Sequence, residues 1–173
     1  MPRTLIFTIA VAVSACGARA AEANPSSAVV AEEGNPISQL QQDAEKGNVR
    51  AQYALGCCYN GDFGNARDPV KAAAWWAKAA GGGSVDAQFC IGLCCYLGEG
   101  VPRDTRKAVA WWTQAASQDH AEAEYFLGLS YLKGLGTGKD PAKAVHWLEK
   151  SAKEGNTAAS QQLRKIGLVV RSN

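Results

Sequence analysis

The stretch AEAEYFLGLSYLKGLGTGKDPAKAVHWLEKSAKEGN, residues 121–156, contains two segments with the character of helices, separated by glycines. The first segment carries a broad apolar surface that includes Tyr125, Leu127 and Leu129, which is typical of a helix buried between neighbours. The second begins at Asp140, which is followed by proline. This start is favourable because the carboxylate can cap amide groups and proline needs no amide partner. The stretch therefore predicts a pair of helices.

The same pattern occurs twice more upstream, at a constant interval of 36 residues and without insertions. The aligned positions are Ala51, Ala87 and Ala123; Gly56, Gly92 and Gly128; Asp68, Asp104 and Asp140; Lys71, Lys107 and Lys143; Ala72, Ala108 and Ala144; and Trp75, Trp111 and Trp147. A fixed period of roughly 20 to 50 residues indicates stacked supersecondary units that share one core. We therefore predict an all-α fold, a right-handed α–α superhelix of antiparallel helix pairs.

Small residues recur where the two helices of each pair would cross. Gly56, Gly92 and Gly128 lie in the predicted first helices, and alanines lie in the predicted second helices at Ala79-Ala80, Ala115-Ala116 and Ala152. Small side chains let two helix axes approach closely. We expect close pairs, with the tryptophans filling the space between repeats.

Outside the repeats, the pattern ends in polar half-units that are suited to capping the stack. Residues 21–36 lack a period and are rich in Ala, Glu, Pro and Ser, which predicts a flexible linker. The predicted boundaries are a linker at 21–36, a cap helix at 37–46, repeats at 51–86, 87–122 and 123–158, a half-repeat cap at 159–167 and a tail at 168–173, so that the repeat domain covers 37–167.

The first twenty residues predict export. Arg3 provides a short basic start, residues 5–15 form an apolar run, and Ala18-Arg19-Ala20 matches the A-x-A pattern, so residues 1–20 are predicted to be a cleaved signal peptide. Residues 13–16 also resemble a lipobox in which Cys16 is acylated. The two processing sites exclude each other, and both stay open. No later segment has the roughly 20 apolar residues of a membrane helix. We predict a periplasmic or secreted protein, with an outer-membrane lipoprotein and a host-directed effector as alternatives.

The net charge of the chain does not identify a partner. Removal of residues 1–20 takes away Arg3 and Arg19 and no acid, which leaves 16 basic and 16 acidic side chains. A neutral chain gives no reason to expect a nucleic-acid-binding face or strong attraction to anionic lipid. We therefore predict no nucleic acid partner.

The recurring pattern A-x-x-x-L-G-x-x-Y-x-x-G-x-G-x-x-x-D-x-x-K-A-x-x-W-x-x-x-A-A-x-x-G resembles the Sel-one-like repeat family, whose members are relatives of tetratricopeptide repeats, over about residues 37–167. The first repeat departs from the pattern with Asp62 at the first glycine position. The second departs with Cys95 in place of tyrosine and Asp119 in place of the terminal glycine. The resemblance implies an α-solenoid that binds other proteins, since family members generally act as adaptors, and bacterial members include periplasmic and envelope proteins.

By similarity to tetratricopeptide arrays, the first helices are expected to line a concave face that binds a protein or peptide partner. Aromatic and aliphatic side chains on that face would suit a peptide or helix lying in a groove. The alternative is that several of these residues pack between repeats. The predicted partner-binding residues are Tyr53, Cys57, Asn60, Phe89, Leu93, Tyr96, Tyr125, Leu129 and Leu132.

Five cysteines follow the predicted signal peptide: Cys57, Cys58, Cys90, Cys94 and Cys95. Their odd number and irregular spacing favour buried free thiols over disulfides. Cys90 and Cys94 share a helix face and could meet a metal with Cys57 or Cys58. Because no second histidine or cysteine pair has the spacing of a zinc site, we predict no metal site.

No catalytic arrangement is visible in the sequence. His120 and His146 lack an evident nucleophile or carboxylate partner, and no motif of a serine hydrolase, zinc protease or phosphate loop occurs. We predict neither catalytic residues nor a cofactor. Because some cysteine-rich proteins of the resembling family bind penicillins, a β-lactamase-like or penicillin-binding enzyme of the periplasm is the alternative function.

Overall fold

The computed structural model of the protein describes residues 36–62 and 66–171, and side chains within 37–62 and 66–167. The predicted signal peptide, the lipidation candidate Cys16 and all but the last residue of the predicted linker lie outside the described residues. Within them the chain forms eight helices and no strand: α1 (Pro36–Glu45), α2 (Val49–Asn60), α3 (Pro69–Gly81), α4 (Val85–Leu97), α5 (Thr105–Ala116), α6 (Ala121–Lys133), α7 (Pro141–Lys153) and α8 (Thr157–Arg171).

The helices pack in sequence order, each against the helix before it and the helix after it. The pairs α2–α3, α4–α5 and α6–α7 form three repeats, and α1 and α8 lie at the two ends. The predicted all-α stack of helix pairs is confirmed. The terminal helix α8 begins at Thr157 and continues to Arg171, beyond the half-helix that was expected at 159–167.

Polar side chains cap the starts of the helices, and those of the second helices are the aspartates that the sequence predicts. The carboxylates of Asp68, Asp104 and Asp140 accept from the amides of Lys71, Lys107 and Lys143 at 3.1, 3.0 and 3.0 Å. These hydrogen bonds stabilise the charged form, so they lower the pKa of each of the three carboxyls. The N-caps of α2, α4, α6 and α8 are Asn48, Ser84, His120 and Asn156.

Left-handed residues end the first helices and explain one departure from the repeat pattern. Gly98 and Gly134 follow α4 and α6 with φ of 79° and 71°, whereas Gly61 takes this role after α2 with φ of 90°. Helix α2 ends one residue earlier than α4 and α6, so the glycine that follows it lies one position closer to the N-terminus. Asp62 therefore stands where the other repeats need glycine. Asp119 keeps the left-handed backbone of the glycine that it replaces, with φ of 58°.

The glycines of the first helices create room for a large side chain of the second helix. A Cβ atom at Gly56 or Gly92 would collide with the indole of Trp76 or Trp112, and at Gly128 it would lie 2.8 Å from Cγ of Leu148. Trp76, Trp112 and Leu148 are buried, whereas the tryptophan that precedes each of them is only half-buried. The glycine of each first helix thus meets an inserted Trp or Leu side chain of the second helix, rather than the alanine that was expected.

Candidate functional site

Seven of the nine predicted partner-binding residues are buried in the hydrophobic core of the stack: Tyr53, Cys57, Phe89, Leu93, Tyr96, Tyr125 and Leu129. The Phe89 ring lies 5.7 Å from that of Phe126 in the next repeat and 4.9 Å from that of His120, and the Tyr96 ring lies 5.6 Å from that of Trp112 in the same repeat. The alternative interpretation, packing between repeats, is thus seen for Phe89, and all seven residues share burial in the core. A partner therefore cannot use them as exposed contacts in this conformation.

The other two predicted residues, Asn60 and Leu132, are half-buried at the carboxyl ends of α2 and α6. Asn60 donates to the Asp62 carboxylate at 2.8 Å. Burial raises the pKa of Asp62. Leu97, which ends α4, is also half-buried. The sequence pattern missed Leu97, although its place in the last turn of a first helix is the signal that could have found it.

A narrow cleft opens between α2 and α4, beside these helix ends. Its floor is largely apolar, and polar atoms are found at Asn60 and Glu99. The residues that line it are Asn60, Trp76, Cys90, Leu93, Cys94, Leu97 and Glu99.

The two edges of the stack are built differently. At the edge that we call the loop edge, each first helix ends beside the start of its second helix. There the amides of Asp68, Asp104 and Asp140 donate to the carbonyls of Tyr59, Cys95 and Tyr131. Consecutive repeats also meet at this edge. A Cβ atom at Gly100 or Gly136 would collide with the carbonyl oxygen of Pro69 or Thr105, so each loop rests on the preceding second helix.

At the opposite edge, the junction edge, a side chain of each first helix reaches the end of the preceding second helix. The amides of Gln52 and Gln88 donate to the carbonyls of Ala44 and Ala80 at 3.0 and 3.5 Å. The third repeat has Glu124 at this position, and a carboxylate cannot donate. Lys150 supplies the donor instead.

Lys150 of α7 joins three acceptors at the junction edge. Its Nζ atom lies 3.1 Å from the Ala116 carbonyl and 2.7 Å from carboxylate oxygens of both Glu124 and Asp119. The Glu124 side chain is fully buried. Since a buried carboxylate is costly without a cation, the ion pair with Lys150 compensates its charge. These contacts raise the pKa of Lys150, mainly through Asp119 and Glu124.

His120 is buried at the same edge, between the second and third repeats. Its Nδ1 accepts from the Ala123 amide at 3.2 Å, which caps α6. Nε2 lies 3.4 Å from the Asp86 carboxylate, and Nδ1 lies 3.4 Å from the Glu122 carboxylate. His120 thus acts as the N-cap of α6.

Cysteine chemistry differs from the expectation in one place. Cys57, Cys58, Cys94 and Cys95 carry reduced thiols, as predicted, but Cys90 is disulfide-bonded. Burial raises the pKa of Cys57 and Cys94 to about 12. These two thiols therefore stay protonated and weakly nucleophilic at neutral pH. No cluster of three or more His, Cys, Asp or Glu side chains within the described ranges is placed to hold a metal ion.

No helix in the described part of the chain is long and apolar enough to cross a membrane. The chain also matches none of the curated proteins with which it was compared. Solved structures with the same fold are found nevertheless.

A Sel1 repeat protein from Oxalobacter formigenes is 34% identical over 75% of this chain and 97% of its own, with a TM-score of 0.67. The protective antigen c5321 of uropathogenic Escherichia coli, which displays an SLR fold, is 30% identical with a TM-score of 0.71. The match covers 85% of this chain but only 31% of c5321. Cysteine rich protein B of Helicobacter pylori shares the fold at 21% identity, with a TM-score of 0.56 over 74% of this chain and 97% of that chain.

The family model described as "Sel1 repeat" matches three consecutive segments, residues 49–84, 85–120 and 121–156. Each segment begins at a first helix and ends at the N-cap of the following helix. Its bounds therefore lie two residues earlier than those of the repeats predicted from the sequence. Sel1 repeat proteins generally serve as scaffolds for protein–protein interaction rather than as enzymes. The chain belongs to the Sel1 repeat family.

Proposed function

We propose that the chain is an exported adaptor that holds a peptide or protein partner along the carboxyl ends of its first helices. The observation that carries this proposal is that each first helix has a half-buried side chain in its last turn, Asn60, Leu97 or Leu132, and that the first two line the cleft between α2 and α4. Asn60 and Leu132 occupy the same position of the repeat, whereas Leu97 lies one position later. Partly apolar groups at the same end of consecutive repeats suit an extended or helical segment that contacts them in turn.

Site-specific photocrosslinking in the producing cells tests the proposal. A photoreactive amino acid is placed singly at Asn60, Leu97 or Leu132, and adducts are identified by mass spectrometry. The matched controls are Ala74, Ala110 and His146, which are exposed in the middle of the three second helices. We expect the first set to capture one reproducible partner and the control set to capture none.

Two results would contradict the proposal. Equal capture from both sets would mean that contact is not confined to the first helices, and capture from the control set alone would place the partner on the opposite face. Substitution of Tyr53, Phe89 and Tyr125 is not a suitable test, because removal of three buried rings would unfold the stack.

Export belongs to the same proposal and rests on the pattern of residues 1–20. Mass spectrometry of the protein from fractionated cells should find a mature N-terminus at Ala21 or an acylated Cys16, in the periplasm, the medium or the outer membrane. An intact Met1 in the cytoplasmic fraction would contradict export, whatever the outcome of the crosslinking.

A further inference from the structure

The two edges of the stack carry charges of opposite sign. The loop edge comprises residues 57–62, 66–72, 94–108 and 130–144, with eight Lys and Arg against five Asp and Glu. The junction edge comprises residues 42–52, 78–88, 114–124 and 150–160, with five Lys and Arg against seven Asp and Glu. The net charge is therefore +3 at the loop edge and −2 at the junction edge, although the total charge of the chain is close to zero.

Ion pairs neutralise part of the loop edge and leave one basic region. Lys71, Lys107 and Lys143 pair with the capping aspartates, and Arg67 pairs with Glu99. Four cations of this edge form no ion pair with the described carboxylates. Arg103 donates to the Tyr96 carbonyl, and the other three, Arg106, Lys133 and Lys139, are exposed. The loop of the third repeat rests on the start of α5, so these three cations belong to neighbouring parts of one surface.

The chain also enters the stack at this edge. Helix α1 has the place of a second helix, and second helices begin at the loop edge, so Pro36 begins there too. The N-terminal segment that precedes it, which begins at Cys16 if this residue is acylated or at Ala21 if the signal peptide is cleaved, is therefore joined to the protein on its basic side. Any attachment of that segment to a membrane would bring the loop edge towards the lipid.

From these two observations we propose that the loop edge docks on an anionic phospholipid surface, through Arg106, Lys133 and Lys139. Basic side chains near such a surface are attracted by its negative potential, and the attraction weakens as salt screens it. The proposed partner-binding residues Asn60, Leu97 and Leu132 lie at the same edge, so lipid and a partner are expected to compete for it. The inference does not depend on the proposed adaptor function, since lipid binding and partner capture are measured separately.

Vesicle co-sedimentation of the protein, in the form that cells produce, tests the inference. Vesicles of phosphatidylglycerol and phosphatidylethanolamine are compared with vesicles of phosphatidylcholine and phosphatidylethanolamine, so that any contribution of the N-terminal segment common to both cancels. The loop-edge variant is R106Q/K133Q/K139Q. The control is K46Q/R50Q/K153Q, which removes the same charge from exposed positions of the junction edge.

We expect salt-sensitive binding to the anionic vesicles, a loss of about tenfold or more in the loop-edge variant, and little change in the control. If the two triple variants lose the same amount of vesicle binding, the effect is non-specific adsorption and the proposal is overturned. The same holds if the protein binds duplex DNA as strongly as it binds anionic vesicles at the same salt concentration. Absence of any preference for anionic vesicles would also overturn it.

Discussion

Lys150 and Glu124 together replace a side chain that the first two repeats share. Gln52 and Gln88 each donate to a carbonyl at the end of the preceding helix. In the third repeat Lys150 donates to the equivalent carbonyl and forms an ion pair with Glu124. Lys150→Met should therefore lower the free energy of unfolding by about 3 kcal/mol, because it leaves the buried Glu124 carboxylate without a cation. Urea denaturation followed by circular dichroism measures this loss.

The double variant E124Q/K150M is the matched control. With Gln at position 124, the third repeat has the same donor as the first two, so most of the lost stability should return, to within about 1 kcal/mol of the original chain. Additive losses in the double variant would show that Lys150 stabilises the junction mainly through Asp119 or through its packing against Trp147.

The four reduced thiols should differ in reactivity according to their burial. Cys58 is half-buried, whereas Cys57 and Cys94 are buried and their raised pKa of about 12 keeps them protonated. In the folded protein, iodoacetamide at pH 8 should modify Cys58 first, as measured by peptide mapping over time. Modification of Cys57 or Cys94 at the rate of Cys58 would contradict the buried positions of these side chains.

The same raised pKa predicts how stability depends on alkaline pH. In the unfolded chain the Cys57 and Cys94 thiols ionise near pH 9, whereas in the folded protein they ionise only near pH 12. Stability that they contribute is therefore complete below pH 9 and is lost as the pH rises from 9 towards 12. Replacement of both by Ala should make the decline in melting temperature shallower over that window, although the starting value will be lower.

Among the elements, the loops between first and second helices depend most on the neighbouring repeat. Gly136 combines a φ of 72° with close contact to the Thr105 carbonyl, whereas Gly138 has open space around its Cα and is not left-handed. Gly136→Ala should destabilise the protein by about 2 kcal/mol or more, and Gly138→Ala should be neutral or stabilise it by about 0.5 kcal/mol. Thermal unfolding of the pair separates these outcomes, and equal effects would argue against docking of the loop.

The helices should also differ in hydrogen exchange. Residues 87–96 of α4 are all buried, whereas Ala44 is the only buried residue of α1 among those whose side chains are described. Helix α1 packs with α2 around a small cluster of Ala44, Ala51 and Leu55 that is separate from the main core. Amides of α1 should exchange first and those of α4 last. Equal protection across both helices would indicate that the stack opens only as a whole.

At the scale of the whole molecule, the repeat pattern predicts the fold almost completely. The positions that recur every 36 residues are those that the stacking geometry constrains: the capping aspartates, the glycines under Trp76 and Trp112, and the left-handed glycines at the helix ends. Where a position departs from the pattern, the reason is local: Asp62 is accommodated because α2 ends one residue early.

The candidate site was much less predictable, for a physical reason. Periodicity shows which residues face the same direction in each repeat, but it does not show how much of that face the surrounding chain covers. Tyr53, Phe89 and Tyr125 share a direction and are all buried. The separation of charge between the two edges was missed for a similar reason: a total over the sequence does not show which ends of the helices meet.

The order in which the loops rest on the repeats has a consequence for how the chain is made. Gly100 lies on Pro69 and Gly136 on Thr105, so each loop settles on a helix that left the ribosome earlier. The loops of the second and third repeats thus find their platforms already synthesised, and these two contacts can form in the order of the chain.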